Sequence, residues 1–110
     1  MNVVLIEGTL SSDVRVKELP SGATVATLEV TTRTLEGSVA SVPVDWFVSD
    51  PPDWPAGTEV VVLGSVQRRF FRAGAATQSR TSVLAERVAS GADRRGAAAV
   101  RRRLSRRLAG

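Results

Sequence analysis

Between residues 3 and 88 the chain keeps returning to a two-residue period, broken by Gly and Pro. That rhythm constrains the fold more than any other feature. In residues 23–34, Ala26, Leu28 and Val30 fall on one side and Thr27, Glu29, Thr31 and Arg33 on the other, the pattern of a half-buried strand. Residues 41–49 repeat it, with Val42, Val44, Trp46 and Val48 on one side and Asp45 and Phe47 on the other. Residues 3–10 are β-branched and apolar, and residues 13–19 set Val14 and Val16 between charges. Residues 58–72 form a long strand in which Gly64 invites a bend or bulge. In residues 77–88, Ser79, Thr81, Val83 and Ala85 oppose Arg80, Ser82, Leu84 and Glu86.

The breaks carry as much information as the strands. Pro20-Ser21-Gly22 is a turn signal, residues 35–40 hold Gly37, and Gly74 sits in a short loop. Residues 50–57 contain Pro51, Pro52 and Pro55 around Trp54; they cannot be strand interior and leave room for little more than one helical turn. Many strands, one interruption after the fourth and little helix predict an all-β small barrel. No internal repeat is visible.

The 110 residues suit one domain with a modest core. The absence of His and Cys removes zinc fingers, thiol nucleophiles, disulfide frameworks and His-based acid–base catalysis. There is no P-loop or nucleophile elbow, and Asp45 and Asp50 have no evident partner in the sequence. No enzymatic activity, cofactor or metal is therefore expected. The N-terminal apolar run lacks a cationic lead and stops at Glu7, and nothing approaches the ~18 apolar residues of a membrane span. A cytoplasmic, nucleoid-associated protein with no membrane partner is expected.

Charge is unevenly placed. Residues 1–92 carry eight basic and ten acidic groups, whereas residues 93–110 carry seven Arg and one Asp. The division predicts a near-neutral body (1–92) and a cationic, polyanion-seeking arm (93–110). Within the arm, Ala97, Val100, Leu104 and Leu108 recur at spacings of three and four, and Asp93 suits an N-cap. The arm reads as a short basic amphipathic helix or a disordered, solubilising tail. With three aliphatic anchors and no aromatic, it is a poor membrane helix.

Taken in order, the residues resemble the bacterial single-stranded DNA-binding (SSB) family. Asn2 followed by aliphatics, Gly8 and Leu10 is similar to that family's opening strand. Asp13-Val14-Arg15, Pro20-Ser21-Gly22, Val25-Ala26 with Leu28 and Val30, Asp45-Trp46, and Gly57 to Val60 leading to Gly64 follow at its spacing, and Arg68-Arg69-Phe70-Phe71 ends a basic, aromatic strand. The resemblance spans about residues 2 to 88. It implies a five-stranded OB-fold barrel, assembly into homo-oligomers (dimers or tetramers), and sequence-tolerant binding of single-stranded DNA in replication, repair or recombination, with replication or repair proteins as further partners.

The resemblance places base stacking on Trp46 and Phe71, with Phe70 beside them. Arg33, Arg68, Arg69, Arg72 and Arg80 become phosphate contacts on the barrel, and Arg101, Arg102, Arg103, Arg106 and Arg107 on the arm. Such a mechanism is physically simple: every base has a π-face, and cations along a groove release counterions. The duller alternatives are concrete too. Trp46 shares its parity with Val42 and Val44, so core packing competes with stacking. Phe70 and Phe71 have opposite parity, so one is expected inside and one outside. Trp54 suits a plug on the barrel end. The family's stacking tryptophan near Arg33 is missing, its later phenylalanine is replaced by 49–52, and its acidic tip is replaced by arginines. Weak DNA binding, an OB-fold adaptor for a protein partner, and RNA binding therefore remain as alternatives.

Overall fold

A computed structural model describes the backbone of residues 1–110 and every side chain except that of Phe71. Six strands and one helix follow in order: β1 (Val4–Leu10), β2 (Arg15–Glu18), β3 (Thr24–Arg33), β4 (Val39–Phe47), β5 (Glu59–Ala73), β6 (Ala76–Ser90) and α1 (Arg94–Ala109). Strand β1 pairs antiparallel with both β5 and β3, β5 with β6, and β4 with β3, while β4 runs parallel to β6. Five strands thus close a ring, with β2 attached to β3 outside it. This is the small barrel that the alternation and its breaks predict, with the five-stranded OB topology that the resemblance implies.

Closure depends on one glycine. Strand β1 leaves β5 for β3 near Gly8, where a Cβ would run into the carbonyl oxygen of Thr31. Only a residue without a side chain lets the two backbones come that close. The interior is then filled by alternate residues of each strand, among them Leu10, Leu28, Val30, Val44, Val60, Val62 and Val83. The 50–57 segment closes one barrel end: Trp54 packs on this core, its carbonyl accepts the Val14 N–H, and Asp13 Oδ1 accepts the Ala56 N–H at 2.8 Å.

The predicted irregularity at Gly64 is a register shift between Leu63 and Gly64. It marks where β5 and β6 leave the barrel and continue as a two-stranded ribbon over residues 66–82. Asn2 fixes the same point, because its side-chain amide donates to the Val66 carbonyl (2.7 Å) and accepts from the Val66 N–H (2.9 Å). A side chain there imitates one more peptide of β1.

The 93–110 segment is not a free arm. Asp93 caps α1 by accepting the Gly96 N–H at 2.9 Å. Ala97 and Val100 are buried, and with Leu104 they cover Val61 and Leu63 of β5, Ala89 of β6, and Val3 and Leu5. The physical reason is visible in β5. Val60 to Leu63 is an unbroken apolar run, so both faces need a cover; the barrel interior covers one and α1 the other. Leu108, expected on the apolar stripe, is 61% exposed beyond the end of this contact.

Candidate nucleic-acid interface

In an OB barrel the ligand face is the outside of the second and third ring strands, flanked by the loops of neighbouring hairpins; here those strands are β3 and β4. That wall carries Glu29, Asp45 and Phe47 on its outer side. Phe47 is 47% exposed. It is missing from the expected stacking set, although its parity opposite Val44 already turns it outward.

Trp46 points the other way. It packs against the core and lies 6.0 Å centroid to centroid from Trp54, with 21° between the ring planes. Of the two roles open to it, packing is the one its surroundings favour, because Trp54 takes one ring face. Its remaining exposure borders a groove of about 330 Å³ beside Ala99 and Gly96 of α1, away from the β3–β4 outer wall.

Asp45 lacks a partner in the sequence but not in the structure. It is only 8% exposed and its Oδ2 accepts from Ser82 Oγ at 3.0 Å and from Gln67 Nε2 at 3.3 Å, with Arg69 Nη1 at 3.5 Å. Gln67 also donates to Ser82 Oγ at 3.2 Å. The cluster is fully satisfied and ties the base of the ribbon to β4, as a buried carboxylate requires. One step along, Arg80 Nη2 lies 3.4 Å from Glu29 Oε1, which leaves the other carboxylate oxygen to the Ser41 hydroxyl. Two expected phosphate contacts, Arg69 and Arg80, are thus engaged with carboxylates of the wall. Arg33 Nη1 donates to the Gly37 carbonyl at 3.0 Å and braces the β3–β4 turn.

Register sorts the ribbon into two faces. Gln67 opposes Ser82 and Arg69 opposes Arg80, on the side of Asp45. Arg68 opposes Thr81, Phe70 opposes Ser79 and Arg72 opposes Thr77, on the side that continues from Val66 and Val83. Phe70 is 70% exposed, with Arg68 and Arg72 two residues to either side on the same face. Among the described residues neither arginine has an ion-pair partner. The structure therefore gathers Arg68, Phe70 and Arg72 and separates them from Arg69 and Arg80. The Phe71 side chain, also expected to stack, lies outside the described residues.

The arm's arginines sit on α1, which packs over β1, β5 and β6. Arg101 Nε is 3.0 Å from Glu7, and Arg103 and Arg107 reach Glu86 at 3.4 and 2.6 Å. The hydrogen bond from Arg107, helped by Arg103, holds the Glu86 carboxyl below its usual range. The hydrogen bond to Glu7 raises the Arg101 guanidinium further still. Arg102 and Arg106 are exposed, with no such partner among the described residues. No group of three His, Cys, Asp or Glu among the described residues is placed to hold a metal ion, and no described helix is long and apolar enough to cross a membrane.

No protein-family model and no curated protein matches this sequence. Solved structures do match in fold. A Plasmodium falciparum SSB in complex with ssDNA superposes with a TM-score of 0.68 at 16% identity, over 82% of this chain and 94% of that one. The N-terminal domain of PriB from Thermoanaerobacter tencongensis, described as dimeric, gives 0.63 at 14% identity over 81% and 94%. A deletion mutant of the single-stranded DNA-binding protein from Thermus aquaticus gives 0.62 at 20% identity over 82% of this chain. The present chain spans 50% of that last protein.

Proposed function

We propose that the protein binds single-stranded DNA without sequence preference, through stacking on Phe70 and Phe47 and phosphate contacts from Arg68 and Arg72. The observation that carries this reading is an exposed ring set between two unpaired guanidiniums on a ribbon projecting from an OB barrel. A phenyl ring there has no folding role, since among the described residues none covers the face of the ribbon that carries it. Stacking on such a ring is worth about 1–3 kcal/mol per base and is indifferent to base identity. The arginines beside it neutralise phosphates that the stacked nucleotides bring with them. Two rings, with Arg68 and Arg72 free of ion pairs among the described residues, make a modest site, and Asp45 and Glu29 withhold Arg69 and Arg80 from it.

The fold relatives named for binding ssDNA support the reading, and it carries replication, repair or recombination as the setting. Self-association through the barrel accompanies it, the outer edge of β2 being an unpaired edge in the sheet order. Anisotropy of labelled oligo(dT) across a salt series tests the proposal. Affinity should fall linearly with the logarithm of salt concentration, and Phe47→Ala with Phe70→Ala should weaken binding at least about tenfold. Absence of binding at low salt overturns it.

A second reading, an OB-fold adaptor, has one specific feature in its favour. Leu35 and Val39 stand fully or largely exposed at the β3–β4 turn, an apolar tip that nucleic acid does not use. If Leu35→Ser removes capture of a protein partner while oligo(dT) binding stays absent, the adaptor reading replaces the first.

A further inference from the structure

Helix α1 sorts its arginines by angle about its axis. Ala97, Val100 and Leu104 face the barrel. Arg101 lies on one flank against Glu7, and Arg103 and Arg107 lie on the other against Glu86. With 3.6 residues per turn, Arg95, Arg102 and Arg106 fall on the remaining side, straight away from the packed stripe. All three are exposed, and among the described residues none has a carboxylate in ion-pair range. At a rise of about 1.5 Å per residue they form a straight row of about 16 Å on a rigid support.

Helix stability does not explain the row as a whole, although Arg106, in the last turn, suits the negative end of the helix dipole. Arg95 stands in the first turn, at the positive end of the helix dipole, and that turn holds no acidic residue to offset it. The cations that hold α1 down are the flanking ones. Arg95 and Arg102 have neither an ion pair among the described residues nor a favourable place on the dipole.

We propose that the crest is a second nucleic-acid contact, which grips the phosphodiester backbone by charge alone and accepts duplex as readily as single strands. The residues between the arginines on that side are Ala98 and Ala99. They offer no ring to stack on a base and no amide to read its edge, so the contact carries neither sequence nor strand information. A lipid surface would ask for apolar or aromatic side chains beside the cations, and the crest has only alanine. The ribbon differs in kind, since a stacking ring requires an unpaired base. Helix α1 covers β1, β5 and β6, and its crest shares no side chain with the ribbon contact. The proposal stands on the helix alone and does not need the ribbon reading.

The test compares the full chain, Arg95→Gln/Arg102→Gln/Arg106→Gln, and Phe47→Ala/Phe70→Ala. Each is titrated with a short blunt DNA duplex, a short oligo(dT) and vesicles of anionic lipid. The full chain should bind duplex at low salt. The triple glutamine variant should lose about tenfold or more in duplex affinity and flatten the salt slope by about 2–3. Its oligo(dT) affinity should fall by less, because the ribbon still holds the single strand, and its melting curve should move little, because no crest side chain has an ion-pair partner among the described residues. The double alanine variant should keep duplex binding. No duplex binding by the full chain, or equal duplex binding by the triple variant, overturns the crest. Vesicle binding that depends on the three arginines, with no duplex binding, overturns it in favour of a lipid surface. Failure of the ribbon reading appears elsewhere, as oligo(dT) affinity untouched by the double alanine variant.

Discussion

Strands β5 and β6 run through two different environments, and the contrast between them organises the molecule. Below Gly64, Val60, Val61, Val62 and Leu63 are each at most 3% exposed, alternately facing the barrel interior and α1. Above it, residues 68–70 and 72–81 are exposed and the strands have only each other. The same hydrogen-bonded pair is thus the most buried part of the protein and the barest. Stability resides where both faces are covered. Chemistry is available where neither is, because side chains there are free of packing constraints.

Substitutions in the two halves should therefore separate stability from binding. Leu63→Ala opens a cavity beneath α1 and should cost about 2–5 kcal/mol, read by urea denaturation. The folded fraction should still bind oligo(dT) as the parent does. An equal loss of affinity in the folded protein would break the comparison, since it would mean that the covered half shapes the binding surface.

The junction tests whether the two halves are mechanically coupled. Asp45→Ala strands the Ser82 hydroxyl, leaves the Gln67 amide only its bond to Ser82 Oγ, and frees Arg69 from its carboxylate. Unpaired buried polar groups cost about 1–3 kcal/mol, so the melt should move less than for Leu63→Ala. Freed of Asp45, Arg69 becomes a further cation on the ribbon. Oligo(dT) binding should gain salt dependence by up to about 0.7 in slope, the value for one more phosphate contact on a single strand. Phe70→Ala sits at the far end of the comparison. It should change stability by less than about 0.5 kcal/mol and weaken oligo(dT) binding by about 1–3 kcal/mol, read by anisotropy.

The sequence makes the covered half far easier to read than the bare one. Alternation in β3 and β4 identifies Leu28, Val30 and Val44 as core because burial imposes a period. Gly64 announces the bend for the same reason, a backbone that must come close to Leu84. The run Val60 to Leu63 likewise demands a cover on both sides, and the apolar stripe of Ala97, Val100 and Leu104 is the segment that supplies it. What the sequence does not disclose is pairing across the barrel. Asp45 meets Ser82 and Gln67, Arg80 meets Glu29, and Arg101 meets Glu7, only because distant strands and the helix are brought together. Phosphate candidates chosen by proximity in the chain therefore include arginines already engaged. Trp46 packs on Trp54 and Phe47 turns outward because neighbours in a strand face opposite ways.

The smallest effect in the comparison concerns what holds the cover on. Glu86 accepts from Arg107 and Arg103, and these cations lower its pKa from the usual 4.5. A depressed carboxyl contributes stability above its unfolded-state pKa and loses it as pH falls through the folded one. The contribution is thus complete at neutral pH and disappears only in acid, below about 4.5. Arg101 is raised instead, so its contribution holds throughout the working range and fades only in strong alkali. Both pairs are largely solvent-exposed, so solvent screening keeps their contribution small. Glu86→Gln should therefore shift the melt only slightly at pH 7. It should also remove part of the difference in stability between pH 7 and pH 3 shown by the parent chain. A pH profile unchanged by Glu86→Gln would mean that α1 stays down through Ala97, Val100 and Leu104 alone.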